Sequence, residues 1–119
     1  MLTRTRKTAS AMNVLALLPA QIKADFVQNE GVHSEHFTDG ELCLTVSGDE
    51  YHFYVAVKTI HRKESLNSLF ADAAPNTLLI CNRLTPYLAD ICMENGVNFM
   101  DSVGNVRINN GALHIWIES

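Results

Sequence analysis

The segment from residue 77 to residue 105 constrains the fold more than any other part of this 119-residue chain. It opens with an unbroken apolar run of the length expected for a buried β-strand, Thr77-Leu-Leu-Ile-Cys81. A helix is predicted next, because Thr85 can cap free backbone N–H groups and Asn95-Gly96 tolerates the left-handed conformation that ends a helix. A second apolar stretch begins at Val97. The segment therefore predicts a strand, a helix and a second strand in succession.

The second of these strands runs into a motif that combines a carboxylate, a glycine and an amide. The motif reads Gly96-Val97-Asn98-Phe99-Met100-Asp101-Ser102-Val103-Gly104-Asn105. With the strand and helix before it, this stretch resembles the N-terminal part of AbiEi-type antitoxins, whose signature is a glycine-valine pair, an aromatic and a hydrophobic residue, and then D-x-x-G-N. The resemblance covers the second half of the chain well and the first half loosely. It implies the fold of that region of the family, a restriction-endonuclease-like PD-(D/E)XK core.

The N-terminal part of the chain predicts two helices. Apolar residues recur at helical spacing in residues 10–18, and Pro19 is placed to start a second, short helix with Ile22, Phe26 and Val27 on one side. Both helices are expected to pack on a sheet.

Two β-hairpins are predicted from alternating apolar and polar residues. The first spans residues 41–59 around a tight turn centred on Gly48-Asp49, and the second spans residues 106–117. A further helical pattern lies between them, in residues 64–73. The fold class that follows is α/β, a mixed β-sheet flanked by helices, in a single domain of residues 1–119. The basic segment of about residues 1–8 is a candidate for disorder.

Composition limits the classes of partner. No apolar run reaches the roughly 18 residues that span a bilayer, so we expect a cytoplasmic protein with no membrane partner. The net charge of −4 excludes a uniformly basic nucleic-acid surface, so binding of DNA or RNA requires a local patch. Three cysteines without a C-x-x-C spacing indicate free thiols. Two basic patches stand out, the first with Arg4, Arg6 and Lys7, the second with Lys58, His61, Arg62 and Lys63.

The family resemblance also bears on catalysis. In active PD-(D/E)XK nucleases one strand supplies an Asp and its neighbour supplies Glu-x-Lys, and the two carboxylates hold a magnesium ion. The matching position here reads Ala56-Val57-Lys58, with alanine in place of the glutamate. The predicted hairpin register places Glu41 opposite Ala56 and Asp39 opposite Lys58. Asp39, Glu41 and Lys58 thus form the only candidate catalytic set, and Mg²⁺ is expected only if that set is active.

Other polar residues suggest structural roles. Asp101 and Asn105 can hydrogen-bond the backbone N–H groups of their turn, and Gly104 is expected to adopt a positive φ there. The group His33, Glu35 and His36 lacks the further ligands of a zinc site, so we predict a polar loop and no metal.

The sequence favours a non-catalytic nuclease-like domain for nucleic-acid or protein recognition, and the resemblance implies an antitoxin-like or transcription-associated bacterial protein. Lys58, His61, Arg62 and Lys63 are the predicted nucleic-acid-binding residues. Two alternatives remain open. One is a magnesium-dependent nuclease that uses Asp39, Glu41 and Lys58. The other is a protein-interaction or oligomerisation module, which includes a homodimer.

Overall fold

The computed structural model describes residues 2–28, 39–67, 69 and 76–119, with the backbone alone for residues 2–5. Two α-helices, a 3₁₀ helix and seven strands make up these parts of the chain. In chain order they are α1 (Leu2–Leu15), β1 (Ile22–Gln28), β2 (Gly40–Val46), β3 (Asp49–Lys58), the 3₁₀ helix (Lys63–Leu66), β4 (Thr77–Cys81), α2 (Pro86–Glu94), β5 (Asn98–Asp101), β6 (Val106–Asn109) and β7 (His114–Ile117).

All seven strands form one sheet, and their spatial order is their order in the sequence. Strands β3, β4 and β5 are parallel to one another, while β1–β2–β3 and β5–β6–β7 are antiparallel. A parallel pair needs a crossover connection, and α2 supplies the one between β4 and β5. The three parallel strands therefore end at the same edge of the sheet.

The sheet curls around α1 on one face, which we term the α1 face. Ala11, Val14 and Leu15 of the helix pack there in one hydrophobic cluster with residues from β2 to β6. The opposite face, the α2 face, is covered under the parallel strands by a second cluster that includes Leu66 of the 3₁₀ helix and Leu88 of α2. The mixed α/β class predicted from the sequence is confirmed.

The predicted strand–helix–strand segment is confirmed almost residue by residue. The Thr85 hydroxyl accepts a hydrogen bond from the backbone N–H of Leu88 at 3.3 Å, and Pro86 opens the helix. The backbone N–H of Asn95 closes the last turn on the carbonyls of Ile91 and Cys92. Local capping signals of this kind act within a few residues, so the sequence alone predicts them well.

The first hairpin is confirmed, but its predicted register is wrong by two residues. Val46 pairs with Asp49, so the turn consists of Ser47 and Gly48, both with positive φ, and Glu41 pairs with Tyr54 rather than with Ala56. Such a two-residue turn fits the right-handed twist of the strands. Because the error is even, every side chain keeps its predicted face.

The N-terminal predictions need two corrections. Helix α1 begins at Leu2 rather than at residue 10, which places most of the basic segment in the helix. The predicted second helix is instead strand β1, which pairs with β2 over its whole length. Ile22 and Phe26 are four residues apart, a spacing that puts them on one side of either a helix or a strand. Pairing with the exposed edge of β2 decides between the two.

In the helix predicted over residues 64–73, the described residues form a 3₁₀ helix, Lys63–Leu66, and Asn67 and Leu69 after it are α-helical; residues 68 and 70–75 lie outside the described residues. Neither α-helix described here is long and apolar enough to cross a membrane.

Candidate nucleic-acid interface

A groove of about 910 Å³ opens where the parallel strands end, between this edge of the sheet and α1. The ends of β3, β4 and β5 contribute Lys58, Asn82 and Ser102, among others, to its wall. The carboxyl ends of parallel strands are where open α/β sheets bind ligands, because the connections diverge there and leave a crevice. This groove is therefore the first candidate for a binding site.

Helix α1 forms the opposite wall with one polar stripe. Arg6, Ser10 and Asn13 line the groove together with Leu17, just beyond the helix. These positions are separated by three or four residues, so they share one side of the helix, next to the side that enters the core. The fold thus carries the N-terminal basic residues to the groove that Lys58 borders.

An ion pair ties α1 to the sheet beside the groove. The Lys7 ammonium lies 3.1 Å from Oδ1 of Asp39, and Oδ2 of the same carboxylate accepts the backbone N–H of Val57 at 2.7 Å. Asp39 therefore extends the pairing of β3 beyond the end of β2. Both its oxygens are engaged by the protein itself, and the pair is part-exposed, so its contribution to stability is modest.

Asn82 fixes the loop that follows β3. Its side-chain oxygen accepts the backbone N–H of Ile60 at 2.6 Å, and its amide donates to the carbonyl of Ile60 at 2.8 Å. This two-way contact reproduces a strand pairing where β4 has already ended. It holds in place the stretch that carries the second basic patch.

The second basic patch lines a smaller pocket of about 440 Å³. His61, Arg62 and Lys63 lie there with Tyr87 of α2, and all four side chains are exposed. An exposed tyrosine beside arginine and lysine offers a flat surface on which a nucleic-acid base can stack. Lys58 borders the larger groove, so the four predicted nucleic-acid-binding residues are divided between two adjoining concavities.

The motif that ends β5 is held together by one buried carboxylate. Asp101 is 1% exposed, and its two oxygens accept the backbone N–H groups of Leu84, Val103 and Asn105 as well as the side-chain amide of Asn105. The described residues place no cationic side chain against it. Asp101 thus joins the turn after β5 to the start of the segment that leads into α2.

The remaining motif residues complete the turn. Gly104 has a φ of 97°, which confirms the predicted positive angle, and a Cβ there would meet nothing closer than Leu17 at 3.9 Å. Conformation rather than crowding therefore favours glycine. The side-chain oxygen of Asn105 accepts the backbone N–H of Ser119 at 2.8 Å, which ties the end of the described chain to the motif.

Two buried thiols, Cys81 at the wall of the groove and Cys92 in α2, are not poised to react. Burial, with a smaller contribution from the charge of Asp101, raises the pKa of Cys81 far above its usual range. Burial also raises the pKa of Cys92 to about 11. Both side chains remain protonated at neutral pH and pack as small hydrophobic groups.

The cross-strand pairings predicted for the candidate nuclease set differ from those in the structure. Asp39 is occupied by Lys7 and Val57, Glu41 is exposed opposite Tyr54, and Lys58 makes no ion pair with either acid among the described residues. Ala56 is buried in the second hydrophobic cluster, so the position matching the catalytic glutamate faces the core.

His33, Glu35 and His36 lie outside the described residues. Trp116 is exposed on β7, with the Arg107 guanidinium 3.9 Å from its ring centre.

Sequence reasoning did not single out Tyr87, Asn82 or the stripe residues Ser10 and Asn13, which line the two concavities. Tyr87 lies within the predicted helix and Asn82 within a predicted loop, so neither position indicated a binding role. The stripe that begins at Arg6 had a detectable signal, since its polar residues recur with helical periodicity once the helix is extended towards the N-terminus.

Comparison with protein-family models, with curated proteins and with solved structures found no match to this chain.

Proposed function

We propose that this chain is a non-catalytic nucleic-acid-binding domain that contacts the phosphate backbone through the groove at the ends of β3, β4 and β5. One observation carries the proposal. On a chain of net charge −4, the fold gathers five cationic side chains around two adjoining concavities: Arg6, Lys7, Lys58, Arg62 and Lys63.

Most of the charges of this surface are available for binding. Lys7 is neutralised by Asp39, and Glu64 is the acid that lines the smaller pocket. Arg6, Lys58 and Arg62 form no ion pair with any described residue. Lysine and arginine that contact phosphates release condensed counterions, which supplies most of the affinity in binding that ignores base sequence. A backbone-binding surface with a stacking tyrosine fits this pattern.

An antitoxin-like or transcription-associated role, with a restriction-endonuclease-like core that has lost catalysis, belongs to the same proposal. Its support is the motif from Gly96 to Asn105 and the alanine at position 56. A magnesium nuclease is disfavoured because Asp39 already binds a lysine and a backbone N–H.

Fluorescence anisotropy with labelled single-stranded and duplex DNA and RNA tests the proposal. Affinity should fall linearly on a log–log plot against salt, with a slope of about −2 to −4.5 for three to five phosphate contacts. Lys58→Gln and Arg62→Gln together should weaken binding at least about tenfold and make the slope shallower by about 2.

The matched control is Lys23→Gln, which removes a lysine charge from the exposed residue Lys23 of β1, away from the groove. It should leave affinity nearly unchanged. Equal losses in the control and in the groove variant would overturn the proposed surface, and binding that is absent or insensitive to salt would favour a protein partner. Mg²⁺-dependent cleavage that disappears in Asp39→Ala would favour the nuclease.

A further inference from the structure

A second group of side chains lies on the part of the α2 face that no described helix covers, which we term the open face. It consists of the outward residues of β1, β2 and the first half of β3: Lys23, Asp25, Val27, Glu41, Cys43, Thr45, Glu50, His52 and Tyr54. None of them belongs to either hydrophobic cluster. The group is on another part of the sheet from the groove.

Three of these side chains converge. The ligand atoms of Cys43, Glu50 and His52, one from each residue, all lie within 4.8 Å of one another. Cys43 and His52 are direct cross-strand partners, and Glu50 is two residues from His52 on the same strand. Directly opposite residues bring their Cβ atoms to about 4.5–5.5 Å, and alternate residues share a face. The hairpin register therefore creates the cluster.

The cluster has the composition of a metal site rather than of a salt bridge. A thiolate, an imidazole and a carboxylate are the three ligand types that zinc accepts. In tetrahedral zinc coordination, bond lengths of about 2.0–2.3 Å place neighbouring ligand atoms roughly 3.3–3.8 Å apart. Small side-chain rotations would bring the three ligand atoms from the observed spacing to the spacing that zinc requires. No described residue forms an ion pair or side-chain hydrogen bond with any of the three.

We propose that Cys43, Glu50 and His52 bind a zinc-type divalent transition metal on the open face, with water in the fourth position. Asp25 on β1 is the cross-strand partner of Cys43, which puts it beside the cluster as a candidate to replace that water. The metal links β2 to β3. Because the thiol must lose its proton to bind, affinity rises with pH and each binding event releases protons.

Titration of the full chain with Zn²⁺ and with Co²⁺ tests the site. We expect one metal ion per chain, an upward shift of the thermal midpoint with Zn²⁺, and a thiolate-to-cobalt charge-transfer band with Co²⁺. Cys43→Ser should abolish the band, and His52→Ala should weaken zinc binding at least about a hundredfold, since even outer-shell changes cost ten- to a hundredfold. Both positions are on the solvent side of the sheet, so both variants should fold.

The matched control is His114→Ala, which removes an exposed histidine from β7. It should bind metal as the unmodified chain does. Absence of binding, or binding without the thiolate band, would overturn the proposal. So would binding that survives both Cys43→Ser and His52→Ala but is lost when His33 and His36 are replaced by alanine, because the metal would then be held by residues 33–36.

Discussion

The two halves of the α2 face belong to the same sheet but differ in burial and in polarity. Under the parallel strands, Leu79, Cys81 and Phe99 are sealed by α2 and the 3₁₀ helix. Under β1, β2 and the first half of β3, the same face presents Asp25, Cys43 and other residues of the open face to solvent. One half is a core, and the other is a surface.

The difference follows from how the strands are connected. Parallel neighbours require a crossover, the crossover lies across a face, and the strands beneath it must be apolar on both sides. Antiparallel neighbours are joined by short turns that cover nothing, so their second face can remain polar. Four predictions test how sharply the two halves differ, in order of decreasing effect.

The largest effect is expected for a core aromatic residue. Phe99→Ala should lower the free energy of unfolding by about 3–5 kcal/mol, because it loses apolar burial and leaves a cavity under α2. Val27→Ala on the open face should change it by less than about 0.5 kcal/mol. Urea denaturation measures both. Comparable losses would mean that the open face is covered in the folded chain.

A smaller but still large effect is expected at the buried carboxylate. Asp101→Ala should cost about 2–4 kcal/mol, since three backbone N–H groups lose their acceptor in a buried place. Asp101→Asn retains one oxygen acceptor and should cost less. Asp25→Ala serves as the control carboxylate on the open face. An unchanged unfolding midpoint for Asp101→Ala would show that water replaces the lost acceptor.

Thiol reactivity compares the two halves without a mutation. At pH 8 a chromogenic disulfide reagent should modify Cys43 at least about a hundredfold faster than Cys81 or Cys92, which react only when the structure opens. Because burial raises the pKa of Cys92 to about 11, that thiol stays protonated even at pH 9. The fast phase should vanish in Cys43→Ser. Fast modification of two thiols would contradict the burial of Cys81 and Cys92 in the second hydrophobic cluster.

The smallest effect concerns the turn that sets the register of the open face. Ser47 has a φ of 54°, and asparagine tolerates that conformation better than serine. Ser47→Asn should therefore raise the free energy of unfolding by about 0.5 kcal/mol, as measured by thermal unfolding. Ser47→Val, which disfavours a positive φ, should lower it. If Zn²⁺ affinity also rises in Ser47→Asn and falls in Ser47→Val, the turn contributes to the geometry of the proposed metal cluster.

Short-range signals explain why some elements were predictable. The cap at Thr85, the helix end at Asn95, the positive φ of Gly104 and the alternation in both hairpins are each decided within a few residues. Strand β1 was not predictable in this way, because its apolar spacing also suits a helix and only the edge of β2 selects the strand. The predicted register of the first hairpin was wrong for a related reason, since two turn positions that differ by one residue fit the same alternation of apolar and polar residues.

The amino-acid sequence by itself determined the α/β class, the strand–helix–strand segment and the face of each hairpin residue, because propensity and periodicity are local. Only the tertiary structure brought Arg6 beside Lys58, set Asn82 against Ile60, and aligned Cys43 with His52. Each of these contacts joins residues that are distant in sequence or depends on an exact register. Such contacts follow from how the whole sheet closes its core, which no short window of sequence encodes.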